Sequence, residues 1–417
     1  MSIFALAVKR FINNHSITDL PIMDNLLRRF ALAAISFVIM FTGCKSLNVD
    51  PRVANAEAQL KILVKASEDG DTLRIPSSFN GSQVTFVDID DWVSGFFAGE
   101  LWYMYELTGN EFWAEKAKAF TEILSPIQYL TWHHDVGFMI YDSYGNGLRL
   151  KNIESYNDVI LNTAKSLSTR FRPAAGVLQS WNADRGWQAE RGWACPVIID
   201  NMMNLELLFK ATEISGDSTY YNIAVSHADK TLENHFRDDY SCYHVVDYDP
   251  ETGQVRRKCT AQGYADNSSW ARGQAWAIYG FTLAYRFTGY ERYLKQAESV
   301  ANFILTNKNM PEDLVPYWDY NAPDIPAAYR DVSAASITAS ALYDLYKLTN
   351  NGVYLEKGDK IIESLSAAPY LAEKGTNGGF ILKHSVGSIP HGSGIDVPLN
   401  YADYYYLEAL VRRRNIK

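Results

Sequence analysis

Metal-binding and redox side chains are scarce in this chain. Its 417 residues include four cysteines and eight histidines, with no CxxC, HxH or HxxxH spacing. The ligand patterns of a structural zinc site or a dithiol redox motif are therefore missing. A basic excess is missing too. The formal net charge is −9, which argues against a broad nucleic-acid-binding surface, although a local Arg or Gln can still hold a small anion against that field. Long apolar runs are few. The run from Phe30 to Phe41 is too short for a spanning helix. It follows Arg28 and Arg29 and leads into Thr42, Gly43 and Cys44. A basic start, an apolar middle and small residues before a cysteine are the layout of a bacterial secretion signal with a lipoprotein box. The expectation is a signal over residues 1–43, with Met23 as an alternative start, and one domain over 44–417. That domain would be a monomer in the periplasm, held to the membrane only through a lipid on Cys44. The other cysteines, Cys195, Cys242 and Cys259, read as buried free thiols, although Cys242 and Cys259 flank a hairpin and could bridge.

Flat, apolar side chains are abundant instead. Hydrophobic residues make up 47% and aromatics 13%, with 27 Tyr, and all ten Trp fall between Trp92 and Trp318. Aromatic faces suit the C–H faces of sugar rings, and they equally fill a large helical core. Composition leaves both uses open.

Four stretches, beginning at Trp92, Asp200, Trp270 and Val332, repeat a helix–turn–helix unit. In each, an apolar helix ends near Thr-Gly, Ser-Gly or Thr-Asn, residues suited to a left-handed C-cap. A weaker copy begins at Asn157, "ANAEAQLKILVKASED" supplies a first helix, and "LNYADYYYLEALVRR" supplies a last one. The first helix of a unit is apolar nearly all round, and the second carries Lys and Glu on one face. The first is therefore buried and the second covers it. About six such pairs give the expected fold class: all-α, a closed (α/α)6 toroid of six helix hairpins. An open solenoid stacks more uniform repeats of about 34 residues and would not need such elaborate loops.

In a toroid the inner helices all start at one mouth, so polar residues at their N-termini converge there. The candidates are Asp91 and Trp92, Asp200, residues 266–274, residues 331–333, and Asp403 with Tyr404. "SCYHVVDYDPETGQVRRKCTAQGY" reads as a β-hairpin turning at Asp249–Gly253, which would cover the mouth and bring in His244 and Gln262. Asp200 follows the apolar run Cys195 to Ile199. Burial raises a carboxyl pKa toward the range useful for proton donation, and a helix N-terminus lowers it. The competing reading is an ordinary N-cap. Asp135, in "HHDVGF", is a second carboxylate whose charge His134 can bias. A metal there lacks its further ligands, and His133 is left out of the site. In "YADNSSWARGQAW", Arg272 can grip a carboxylate with two N–H groups, and Trp270 or Trp276 can stack on a ring. Alternatively, Arg272 pairs with an internal acid such as Asp266.

Taken in order over residues 90–410, "HHDVGF", "PVIIDNMMNLELL", "TAQGYADNSSWARGQAWAIYGF" and "YADYYYLEAL" resemble the unsaturated glucuronyl hydrolases of glycoside hydrolase family 88. The resemblance implies an (α/α)6 barrel acting on lyase-generated oligosaccharides that carry a 4,5-unsaturated uronic acid at the non-reducing end. It implies Asp200 as catalytic acid/base and Asp135 as a second essential aspartate holding the sugar. His134, His244, Gln262, Trp270, Arg272 and Trp276 would bind substrate, together with Trp92 and Tyr404. No metal or organic cofactor is implied. The competing readings are an unsaturated rhamnogalacturonyl hydrolase, an isomerase or epimerase with paired histidines deep in a similar toroid, and a non-catalytic glycan-binding lipoprotein.

Overall fold

The structure is a computed structural model that describes residues 50–416. The expected signal, its lipoprotein box and Cys44 lie outside the described residues. The helices are α1 (Pro51–Ser67), α2 (Ser94–Thr108), α3 (Glu111–Glu122), α4 (contiguous pieces Val136–Ile140, Tyr141–Gly145 and Asn146–Lys151), α5 (Ser155–Ser168), α6 (Leu205–Ser215), α7 (Ser218–Asn234), α8 (Ala271–Thr288), α9 (Glu291–Thr306), α10 (Val332–Thr349), α11 (Gly352–Leu365) and α12 (Asn400–Arg414). The even-numbered helices contact one another in sequence order, and α12 returns to α2, so six inner helices close a ring. The odd-numbered helices lie outside it as a second layer. This is the expected (α/α)6 toroid.

Burial follows the layers. Every residue of α8 from Ala271 to Ala284 is buried, as is every residue of α12 from Asn400 to Val411. The outer α9 buries only Tyr293, Gln296, Ala297, Val300, Ala301 and Ile304, a stripe at three- and four-residue spacing. The local chemistry between layers is what the repeats promise. α2, α6, α8 and α10 end on Gly109, Gly216, Gly289 and Asn350, each at positive φ. After three of these the next residue caps an outer helix: the side chains of Asn110, Asp217 and Asn351 accept N–H groups from Phe112, Thr219 and Val353.

The inner helix α4 is the element the sequence pattern conceals. Its apolar periodicity is broken by three glycines and by a π-turn at Tyr141–Gly145. Those glycines exist for close approach. A Cβ on Gly137 would overlap Asn204, and one on Gly147 would meet the rings of Tyr156 and Trp102. Likewise, a Cβ on Gly95 of α2 would overlap the carbonyl oxygens of Phe138 and Met139. The ring is this tight because α2 and α4 meet backbone to backbone.

Small antiparallel sheets decorate the mouth. β1 (Ile75–Phe79) pairs with β2 (Val84–Val87), and β3 (Cys195–Ile198), β4 (Val245–Tyr248) and β5 (Val255–Cys259) form a three-stranded sheet in that order. β6 (Ser385–Ser388) pairs with β7 (Ser393–Val397). The expected hairpin is β4–β5. The Asp249 side chain accepts the Glu251 and Thr252 N–H groups in its turn, and Gly253 takes φ 74°. The third strand, β3, is an addition: Ile198 pairs with Val245, and both Ile198 and its neighbours are buried. β3 delivers the chain directly to Asp200. Cys195, Cys242 and Cys259 are free and buried.

Candidate active site

A cavity of about 110 Å³ opens at the N-terminal ends of the inner helices. Trp92, Asp135, Asp200, Gln262 and Arg272, all expected there, line it together with His133, Phe138, Trp181 and Ile198.

Asp200 sits on a 3-10 turn, Ile199–Met202, between β3 and α6. Its side chain caps no helix, which removes the structural reading. Burial pushes its carboxyl up to about 7, against the opposing charge of Arg272, a backbone N–H and the Trp276 indole. One oxygen, Oδ2, has no hydrogen-bond partner. His244 stands 3.8 Å away through Nε2. The His244 Nδ1 accepts the Ala261 and Gln262 N–H groups at 3.1 and 3.2 Å. That fixes the tautomer: the ring proton is on Nε2, pointing at Asp200. Burial, and then the charge of Arg272, hold this imidazole well below its usual pKa, so it is neutral. Nε2 also lacks a partner. A donor and a carboxyl oxygen thus face each other across a gap too wide for their own hydrogen bond.

Asp135 is the second carboxyl. It stands at the N-cap of α4, yet its side chain caps nothing. Oδ1 accepts Asn204 Nδ2 at 3.1 Å, and Oδ2 lies 3.2 Å from His134 Nε2. Burial pushes this carboxyl up to about 8, with the Asn204 bond lowering it and the Asp200 charge raising it. Asp135 and Asp200 therefore titrate as an interacting pair close to neutrality. Both neighbouring histidines are neutral: burial, then Arg170, hold His133 near 4, and burial holds His134 well below its usual range.

His133, His134 and Asp135 bring three donor atoms within 4.8 Å of one another. No fourth His, Cys, Asp or Glu joins them among the described residues. His133 Nδ1 already accepts the Asp135 N–H at 3.1 Å. These donors fit a hydrogen-bonded turn rather than a four-ligand zinc site.

Arg272 departs from expectation. It pairs with Asp331 at 3.2 Å, not with Asp266. Its terminal nitrogens also donate to the carbonyl oxygens of Val386 and Gly387. Nε has no partner, and Nη2 makes a single bond, to the Gly387 carbonyl. Arg272 lines the pocket, and its charge pulls on the Asp200 carboxyl.

The other expected residues divide into wall and support. Trp270 is buried, 4.6 Å from both the His244 ring and the Arg272 guanidinium, and holds them in place. Trp276, four residues beyond Arg272 on α8, packs beneath the pocket against Phe138 and Tyr405. His134 is fully buried behind Asp135. Tyr404 does not reach this pocket. Its hydroxyl donates to Asp142 Oδ1 at 3.1 Å, and it borders a separate cavity of about 330 Å³ with Arg149, Glu206 and Arg412. The reason is depth along the helix: Tyr401, one turn earlier on α12, is the residue beside Trp92 and Arg272. Asp403 is also diverted, accepting the Ile381 and Leu382 N–H groups. Asp91 accepts the Val93 N–H at the start of α2. Sequence reasoning missed Trp181, His133, Tyr401 and Asn204. For Asn204 a signal existed, because it lies one helical turn after Asp200.

The model of Glycosyl Hydrolase Family 88 matches residues 74–408. The chain belongs to Glycosyl Hydrolase Family 88. Every pocket residue named above lies inside that match. The unsaturated glucuronyl hydrolase of Formosa agariphila is 44% identical over 370 residues, covering 88% of this chain and 91% of that protein. The unsaturated chondroitin disaccharide hydrolase of Streptococcus pneumoniae is 34% identical, covering 81% of this chain and 85% of that protein. A crystal structure of an unsaturated glucuronyl hydrolase specific for heparin superposes with a TM-score of 0.84 at 42% identity, covering 88% of this chain and 96% of that one.

An acid catalyst in this Family 88 pocket must hold its proton. With the two carboxyls titrating near 7 and 8, raising the pH strips the pair of its last proton. We predict that kcat/KM falls about tenfold per pH unit above about pH 8. A profile flat to pH 9.5 contradicts the assignment.

Proposed function

We propose that this glycoside hydrolase removes the 4,5-unsaturated uronic acid from the non-reducing end of lyase-generated, glycosaminoglycan-type oligosaccharides. The observation that carries the reading is the Asp200 carboxyl: it lines the pocket, burial pushes it up to about 7, and one of its oxygens has no partner.

The C4=C5 bond of such a sugar is a vinyl ether. Asp200 gives its proton to C4, and positive charge develops at C5 and the ring oxygen. Water attacks C5 and passes a proton to the Asp200 carboxylate, which restores the acid. The resulting C5 hemiketal opens to a ketone, C1 becomes a hemiacetal, and its collapse releases the rest of the chain. Asp135 accepts sugar hydroxyls through Oδ2. Trp92 and Trp181 supply apolar wall. Proton and water suffice, so no cofactor enters.

The experiment follows the near-UV absorbance of unsaturated disaccharides, sulfated and unsulfated. The wild type bleaches at least one of them. Asp200→Asn lowers kcat by about 10²–10⁴-fold with an unchanged melting temperature. Absence of bleaching on every disaccharide sinks the reading, and an Asp200→Asn variant of normal activity sinks the mechanism.

For the cellular setting, we propose export and lipid attachment at Cys44 on the layout of residues 23–44. Radiolabelled palmitate fed to the producing cell should enter the protein and be lost in Cys44→Ser. Label retained in that variant contradicts the anchor.

A further inference from the structure

Asp135 is at the N-cap of α4 and is chemically suited to cap it, yet its carboxyl leaves that job undone. The orphan N–H it would normally take is that of Phe138, three residues on. That N–H donates instead to Asn204 Oδ1 at 3.1 Å. The same Asn204 turns its Nδ2 to Asp135 Oδ1 at 3.1 Å and to Asn201 Oδ1 at 3.2 Å. Asn201 is in turn tied to the Leu178 carbonyl at 2.9 Å. Asn204 is fully buried, and it follows Asp200 by one helical turn. Room for it depends on Gly137, where any Cβ would overlap the Asn204 side chain.

We propose that Asn204 is a positioning residue that takes over the capping of α4, releasing the Asp135 carboxyl from its helix and aiming it into the pocket. Resting on the hydrolase reading above, the role explains how two carboxyls from different inner helices are held in one register. Asn204 grips the start of α4 with Oδ1 and Asp135 with Nδ2, and its own backbone continues from Asp200. Without it, the Phe138 N–H loses its acceptor and becomes the donor a helix N-cap carboxyl takes. Capping its own helix would turn the carboxyl away from the substrate.

Two variants separate positioning from plain stability. Asn204→Asp keeps the shape and the oxygen that caps Phe138, but it loses the N–H donated to Asp135 and sets a carboxylate against it. Both changes raise the Asp135 pKa. The expected result is a melting temperature within a few degrees of wild type, kcat/KM lowered at least tenfold, and a pH profile displaced toward higher pH. Asn204→Ala removes both contacts. Its crystal structure should show the Asp135 carboxyl rotated onto the Phe138 N–H, a readout that holds whatever the substrate proves to be. The proposal is overturned if Asn204→Asp stays within twofold of wild type from pH 5 to 9. It is equally overturned if Asp135 keeps its orientation in Asn204→Ala. Failure of the wild type to act on any unsaturated disaccharide would overturn the hydrolase reading and leave the structural readout standing.

Discussion

Burying the Asp200 carboxyl with one oxygen unpartnered is unfavourable, and the surrounding architecture is what sustains it. An apolar strand, β3, carries the chain inward, and a 3-10 turn brings the carboxyl to the ring of inner-helix N-termini. The ring is closed by helices buried on every side. Loss of water raises the energy of the charged form, so the carboxyl keeps a proton near neutral pH. A proton held under that penalty is one the group can give up to carbon and take back from water. The toroid thus produces the acid by geometry, chiefly through desolvation.

The groups around it keep the field balanced. Arg272 supplies the one guanidinium in the pocket wall, and Asp331 pairs with it, so its pull on Asp200 is tempered. His133, His134 and His244 are all held neutral by burial. A charged imidazole beside Asp200 would favour the carboxylate and drain the acid. His244 instead serves as a fixed neutral donor, its tautomer set by two backbone N–H groups. Asp135 accepts one neutral donor, Asn204, on Oδ1, with the neutral His134 ring 3.2 Å from Oδ2, which leaves Oδ2 for sugar hydroxyls.

Much of this was legible in the sequence, because helices buried all round and helices amphipathic on one face follow from side-chain pattern alone. The Gly and Asn C-caps marked the hairpins. Asp200 was legible because an acid at the end of an apolar run stands out, and Asp135 through the HHD stretch and the family resemblance. What escaped notice depends on depth along a helix and on contacts between distant segments. Glycines placed for close packing broke the pattern of α4. Tyr404 was assigned to the mouth although it lies one turn too deep, where Tyr401 stands nearer the mouth. The pairing of Arg272 with Asp331 rather than Asp266 joins residues 59 apart in sequence, and the bond from Asn204 to Asp135 spans 69. No local pattern encodes either.

The central claim is that Asp200 delivers a proton to carbon rather than to a glycosidic oxygen. Turnover of an unsaturated disaccharide in deuterated water, followed by NMR of the released uronate, tests it directly. The account predicts one deuterium at C4, on a single face, for every bond cleaved. A product with no deuterium at C4, or with the C4=C5 double bond intact after the sugars separate, would contradict it.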